Sequence, residues 1–107
     1  MTNYLFIESR DPFESRDTRF IEDTAIGLKE RGHDVTLFLV QNGVLAARKK
    51  AQCLERLAQA GVTLLADSFS LSERGIQAAE LTAEVRQAGI DLLVDALVQE
   101  NSRAIWH

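Results

Sequence analysis

Short, nearly continuous apolar runs alternate along this chain with stretches whose apolar residues recur at helical spacing. That alternation limits the fold more than any other feature. Val35 to Val40 reads Val-Thr-Leu-Phe-Leu-Val, apolar almost throughout. A strand with one wet face alternates between apolar and polar residues. A continuous run has both faces covered, as in a parallel sheet between two layers of helix. Tyr4 to Ile7 and Val62 to Ala66 read as strands of the same kind, and Ala104 to Trp106 as the last strand.

Between the strands the apolar period changes to that of a helix. From Asp17 to Arg31, Phe20, Ile21, Ala25 and Leu28 recur on one face, with Asp17 as N-cap and Gly32 as the stop. After a turn at Asn42-Gly43, a second long helix carries Ala47, Ala51, Leu54 and Ala58 and stops at Gly61. A short helix is expected from Ser70 to Arg74, ended by Gly75, then a short strand at Ala83 to Arg86. A helix from Asp91 to Gln99 turns Leu93, Ala96 and Leu97 inward. Strand and helix in this order imply right-handed βαβ crossovers in one three-layer α/β domain over residues 1–107. No linker or low-complexity tract divides the chain.

Composition removes several classes of function. The net charge is −4, and the only basic cluster, Arg48-Lys49-Lys50, is expected on a solvated helix face. Nonspecific nucleic-acid binding needs a concentrated basic surface, so it is not expected. No apolar run approaches the roughly 20 residues that cross a bilayer. Met1-Thr2-Asn3-Tyr4 lacks the basic and apolar regions of a signal peptide, so a cytoplasmic location is expected. The single cysteine, Cys53, excludes an internal disulfide and a Cys-x-x-Cys pair. His33 lies in a helix-to-strand turn and His107 is terminal and open to disorder; neither has the partners a metal site or a nucleophile–base pair needs. No Gly-x-Gly-x-x-Gly or Walker sequence is present, and no cofactor is expected.

The chemistry of an open α/β sheet gathers at the carboxyl ends of its strands. At the end of the third strand stands Asp67, followed by Ser68 and Ser70. Ser70-Leu71-Ser72-Glu73 matches a capping box in which Ser70 caps the helix and Glu73 reaches back, leaving Asp67 to order the turn. Alternatively Asp67, Ser68 and Ser70 contact a ligand or partner, a neutral or cationic group suiting the carboxylate best. The first strand exits into Glu8-Ser9-Arg10-Asp11, repeated as Glu14-Ser15-Arg16-Asp17. The segment reads as a charged loop ending in a helix cap, or as one in which Arg10 and Asp11 rim a pocket. Cys53, placed mid-helix about 120° from the apolar stripe, has no helix dipole to activate it and reads as passive. An aspartate after the third strand also suggests a phosphoacceptor with Glu8 and Asp11 as metal ligands. That site needs a lysine after the last strand, and none follows Lys50.

Val40-Gln41-Asn42-Gly43-Val44, Gly61-Val62-Thr63-Leu64 leading to Arg74-Gly75-Ile76, and Ser102-Arg103-Ala104-Ile105-Trp106 together resemble the DsrE/DsrF-like family of small sulfur-relay proteins, over essentially the whole chain. The resemblance implies a mostly parallel, roughly five-stranded sheet, assembly into homo- or hetero-oligomers, and sulfur-relay proteins as partners. It also implies a persulfide-carrying cysteine just past the third strand, and here that position is Asp67. A carboxylate does not carry sulfane sulfur; a thiolate does. The expected function is therefore a non-catalytic binding or assembly subunit. A persulfide carrier using Cys53, or a small-molecule module near Asp11 and Asp67, is the alternative. Trp106, Phe69 and Phe13 are candidate interface aromatics, or core.

Overall fold

Adjacent residues of the central strands go to opposite faces and are buried on both, as the continuous apolar runs require. The computed structural model describes residues 2–107, so Met1, part of the N-terminal reading above, lies outside it. The strands are β1 (Asn3–Glu8), β2 (Asp34–Leu39), β3 (Thr63–Asp67), β4 (Val85–Ala88) and β5 (Ser102–Trp106). They form one five-stranded sheet in the order β4-β3-β2-β1-β5, every neighbouring pair parallel. The three-layer α/β architecture is the expected one.

The layers are unequal. Phe6, Leu37, Leu39, Leu64 and Ala66 pack on one face against Ile21 and Ala25 of α1 (Asp17–Glu30), Leu57 of α2 (Glu55–Gln59) and Leu71 of α3 (Ser68–Glu73). Leu5, Ile7, Phe38, Val40 and Leu65 face the other way, against Leu93 and Ala96 of α4 (Ile90–Leu97). Strands β1 to β4 step in one direction across the sheet. The chain then returns through α4 to place β5 on the far side of β1. A right-handed return in the opposite direction puts α4 on the opposite face.

Several expectations are corrected. No long helix spans residues 44–60. Gln41–Ala47 is 3-10 helix, the backbone then extends, and α2 covers only Glu55–Gln59. The cause is long-range pairing. Arg48 bridges antiparallel to Leu81, Lys49 N–H donates to Glu80 O at 2.8 Å, and Thr82 N–H donates to Ala47 O at 2.9 Å. Gln52, at φ 52°, turns the chain before Cys53. Arg48-Lys49-Lys50 therefore lies on a turn, and Cys53 in a loop rather than mid-helix.

Arg16, not Asp17, is the N-cap of α1, and it makes no side-chain cap bond. Phe20 points outward, 70% exposed, while Ile21 and Ala25 carry the buried face. Strand β4 lies two residues later than expected, because Val85 is the residue that reaches the core. Leu97 is exposed on α4, whereas Leu93 faces the sheet. Phe13, Phe69 and Trp106, for which a core role was the alternative, are all exposed.

Candidate functional site

The turn after β3 is held by its own side chains. Asp67 is the N-cap of α3, and its Oδ2 accepts from Ser70 N–H at 3.0 Å and from the Ser70 hydroxyl at 2.7 Å. Ser70 Oγ in turn accepts from Gln41 N–H at 2.9 Å, tying the turn to the exit of β2. Asp67 and Ser70 are both buried. The Ser68 hydroxyl donates to Ala88 O on β4 at 3.2 Å. Arg74 closes the other side, donating to Asn42 Oδ1 at 3.0 and 3.1 Å and to Ser70 O at 3.2 Å. The expected capping box centred on Ser70 is not formed, because α3 begins at Ser68 and the capping residue is Asp67. Glu73, expected to reach back, is exposed and lies 3.7 Å from Arg74. A true capping box occurs instead at Gln77 and Glu80. Asp67 thus orders this turn, as one of the two readings held.

After β1, Asp11 is likewise spent locally. Its Oδ1 accepts from Phe13 N–H at 3.0 Å, and its carbonyl accepts from Glu14 and Ser15. Arg10 is exposed, 3.9 Å from Asp17. Its side lines a cavity of about 60 Å³ whose walls include Glu8, Ile21, Leu39, Cys53 and Leu57. Asp11, Asp67, Ser68 and Ser70 are not among the residues lining that cavity. The structure therefore brings Arg10 and Cys53 to one cavity and leaves the Asp67 turn apart.

Cys53 is half-buried and donates through Sγ to Ala46 O at 3.4 Å. Burial pushes its thiol above the ordinary 9.0; the Glu22 and Asp11 carboxylates act in the same direction, while a backbone hydrogen bond and Arg48 oppose it. At neutral pH the sulfur is held as thiol, the unreactive form.

One pair escaped sequence reasoning. The last residue of β1, Glu8, is buried, and both its oxygens meet Nδ1 of His107, at 2.8 and 3.0 Å. A carboxylate only accepts, so Nδ1 is the donor in this bond. His107 is ordered by its backbone as well: its N–H donates to Ile7 O, and its carbonyl accepts from the Ser9 N–H and hydroxyl. Burial raises the Glu8 pKa above 4.5, against the opposing hydrogen bond and charge of His107 and the nearby Arg10. Ile7 and Trp106 are register partners, which brings the next residue on each strand together. That β5 lies beside β1 is the one fact needed to find this pair.

Among the described residues, no group of three or more His, Cys, Asp or Glu side chains is placed to hold a metal ion, so Glu8, Asp11 and Asp67 form no such site. Nor is any helix among them long and apolar enough to cross a membrane.

Residues 2–105 match the model of a family described as the DsrE/DsrF-like family. No curated protein matches the chain in sequence. Among solved structures, a protein of unknown function from Methanobacterium thermoautotrophicum is similar at a TM-score of 0.84 and 17% identity, each chain covered over 100% of its length. The ychN protein of E. coli is similar at a TM-score of 0.82 and 21% identity, over 98% of this chain and 100% of its own. At these identities the likeness to both structures is one of fold.

Proposed function

The chain belongs to the DsrE/DsrF-like family, and from that premise we propose that it is a non-catalytic binding or assembly subunit related to sulfur-relay proteins. The observation that carries the proposal is the state of Asp67. It stands where the resemblance puts the sulfur-carrying cysteine, and its carboxylate is buried and committed to Ser70. The only thiol, Cys53, lies elsewhere and is kept protonated by burial. A single cysteine fits a reducing, cytoplasmic setting.

Support for assembly comes from α4. Its sequence is apolar on every side except at Asp91 and Asp95, and helices of that kind are normally covered. Ile90, Val94, Leu97 and Val98 form an exposed stripe at helical spacing, and Trp106 is exposed on the same face of the sheet. A second copy of the chain or a related subunit would cover it.

Loading with a sulfane-sulfur donor, followed by intact mass measurement of wild type and Cys53→Ala, tests the first half of the proposal. Neither protein should gain mass. One added sulfur atom that requires Cys53 would establish the persulfide-carrier alternative instead. Native mass tests the second half: the wild type should exceed 11.9 kDa, and Val94→Lys with Val98→Lys should restore the monomer. A monomeric wild type overturns self-assembly.

A further inference from the structure

The assembly reading leaves unused the cavity beneath the carboxyl end of β1 and the buried carboxylate that lines it. We propose that this cavity binds a short-chain primary ammonium ion, its alkyl tail on the apolar wall and its head on the Glu8 carboxylate, with His107 as the positioning residue. The inference goes beyond the reading of Asp67, which does not line the cavity.

Place is the first support. Open α/β sheets take ligands outside the carboxyl ends of their strands where the chain reverses its direction across the sheet. In the order β4-β3-β2-β1-β5 that point lies between β1 and β5, where Glu8 meets His107. The cavity borders it on the α1 side, reached by Glu8 from β1 and by Leu37 and Leu39 from β2, with no residue of β5 in its lining. Size is the second. The cavity measures about 60 Å³; a water needs about 10–15 Å³ of such space, so there is room for about four to six non-hydrogen atoms.

Lining and charge select the class of ligand. Ile21, Ala25, Leu37, Leu39, Leu54 and Leu57 offer only apolar surface. Glu8 is 5% exposed and, when ionised, solely an acceptor. Its oxygens offer about four lone-pair sites, and Arg10 N–H and His107 Nδ1–H are its partners within the chain. Glu22 also lines the cavity but is paired with Arg56 at 3.1 Å, and Arg10, the cation in the wall, lies 3.9 Å from Asp17 and acts on Glu8 as well, so Glu8 is the carboxylate left to receive the head. Anions are repelled, and an ammonium head offsets the cost of burying the carboxylate, a cost visible in its raised pKa. His107 fixes the carboxylate plane through Nδ1 while its own backbone is locked to Ile7 and Ser9.

The test is a titration of the isotope-labelled chain with n-butylammonium, followed by amide NMR, with n-butanol and butyrate as probes of matched length. Saturable shifts should centre on Leu39, Ala46 and Leu54 with the ammonium ion alone. Glu8→Gln should weaken binding by more than about tenfold. His107→Ala should weaken it too, and His107→Asn, whose amide can still donate to Glu8, should restore it. Equal binding of butanol or butyrate, absence of saturation, or unchanged affinity in Glu8→Gln overturns the proposal. Should Glu8→Gln fail to fold, Ala25→Val narrows the cavity: loss of binding supports the site, and unchanged binding overturns it.

Discussion

Gly43→Ala should be among the most damaging small substitutions available in this chain. A Cβ built at Gly43 would stand 2.2 Å from the Glu8 carbonyl oxygen and 3.0 Å from its carbon. Close carbon–oxygen contacts settle at about 3.3–3.6 Å, so the two segments must part by about 1 Å. The obstructing atom is backbone, not a side chain that can swing aside. It also accepts a hydrogen bond from Val40 N–H at 3.0 Å, while Gly43 N–H donates to Val40 O at 2.9 Å. Parting them strains both bonds in a buried turn. Overpacking costs about 1–3 kcal/mol, and stranding a buried backbone group costs about 1–3 kcal/mol more. The sum, about 2–6 kcal/mol, is a large share of the roughly 5–15 kcal/mol that holds a domain together. At about 4–8 °C per kcal/mol, Tm should fall by about 10 °C or more. Gly27→Ala is the matched control. Gly27 lies inside α1 with nothing within 4 Å of its added Cβ, and the same change there should stabilise by about 0.5–1 kcal/mol. Thermal and urea melts followed by circular dichroism measure both. A Gly43→Ala protein within about 0.5 kcal/mol of wild type, or equal losses at the two glycines, would refute the close approach of the 3-10 segment to β1.

Two further outcomes follow from the carboxylates at the same edge. Asp67→Ala removes the acceptor of both Ser70 donors and should cost about 1–2 kcal/mol in urea melts. Asp67→Asn keeps an oxygen for Ser70 N–H and should cost clearly less; equal losses would mean that the cap is not what Asp67 supplies. Glu8 should show itself in the pH dependence of stability. Its folded-state pKa lies above the ordinary 4.5, so its contribution is fully present below the unfolded value and is lost as pH rises through the raised one. Gln has no proton to lose, so Glu8→Gln should gain stability relative to wild type as pH rises from about 4 to neutrality. A difference between the two proteins that stays constant over that window contradicts the reading.

The sheet was legible because continuous burial leaves a local record. Every residue from Val35 to Val40 except Thr36 is buried, and that pattern needs no knowledge of neighbours. The region from Ala47 to Ala58 misled for the opposite reason. Ala47, Leu54 and Leu57 do reach the core, though Ala51 does not, and they do so in separate pieces held by pairing of Arg48 with Leu81, which is distant in sequence. Nothing local marks Gln52 as a residue at positive φ, since Gly or Asn is the usual occupant. At α3 two capping patterns overlap. Asp67 precedes Ser70 by three positions as Ser70 precedes Glu73, and the end of β3 decides which one acts. The Glu8–His107 pair joins residues 99 positions apart. It depends on β5 entering beside β1, and strand order leaves no trace in the apolar pattern.

Of the three buried carboxylates at this edge, Glu8, Asp11 and Asp67, the two at strand ends, Asp67 and Glu8, have opposite energetic characters, and the difference directs attention from one to the other. Asp67 has its donors within the same turn, a backbone N–H and a hydroxyl, and the helix it caps is the return for burying it. A carboxylate satisfied in this way has little left to offer a ligand. Glu8 is also buried, but burial disfavours its charge, and its partners are one backbone N–H and an imidazole borrowed from another strand. A leucine or methionine at the end of β1 would fill the same space without that cost. Chains that retain a costly buried charge beside a cavity tend to do so where the charge is used. At this edge the carboxylate whose charge burial disfavours stands at the end of β1, not at the end of β3.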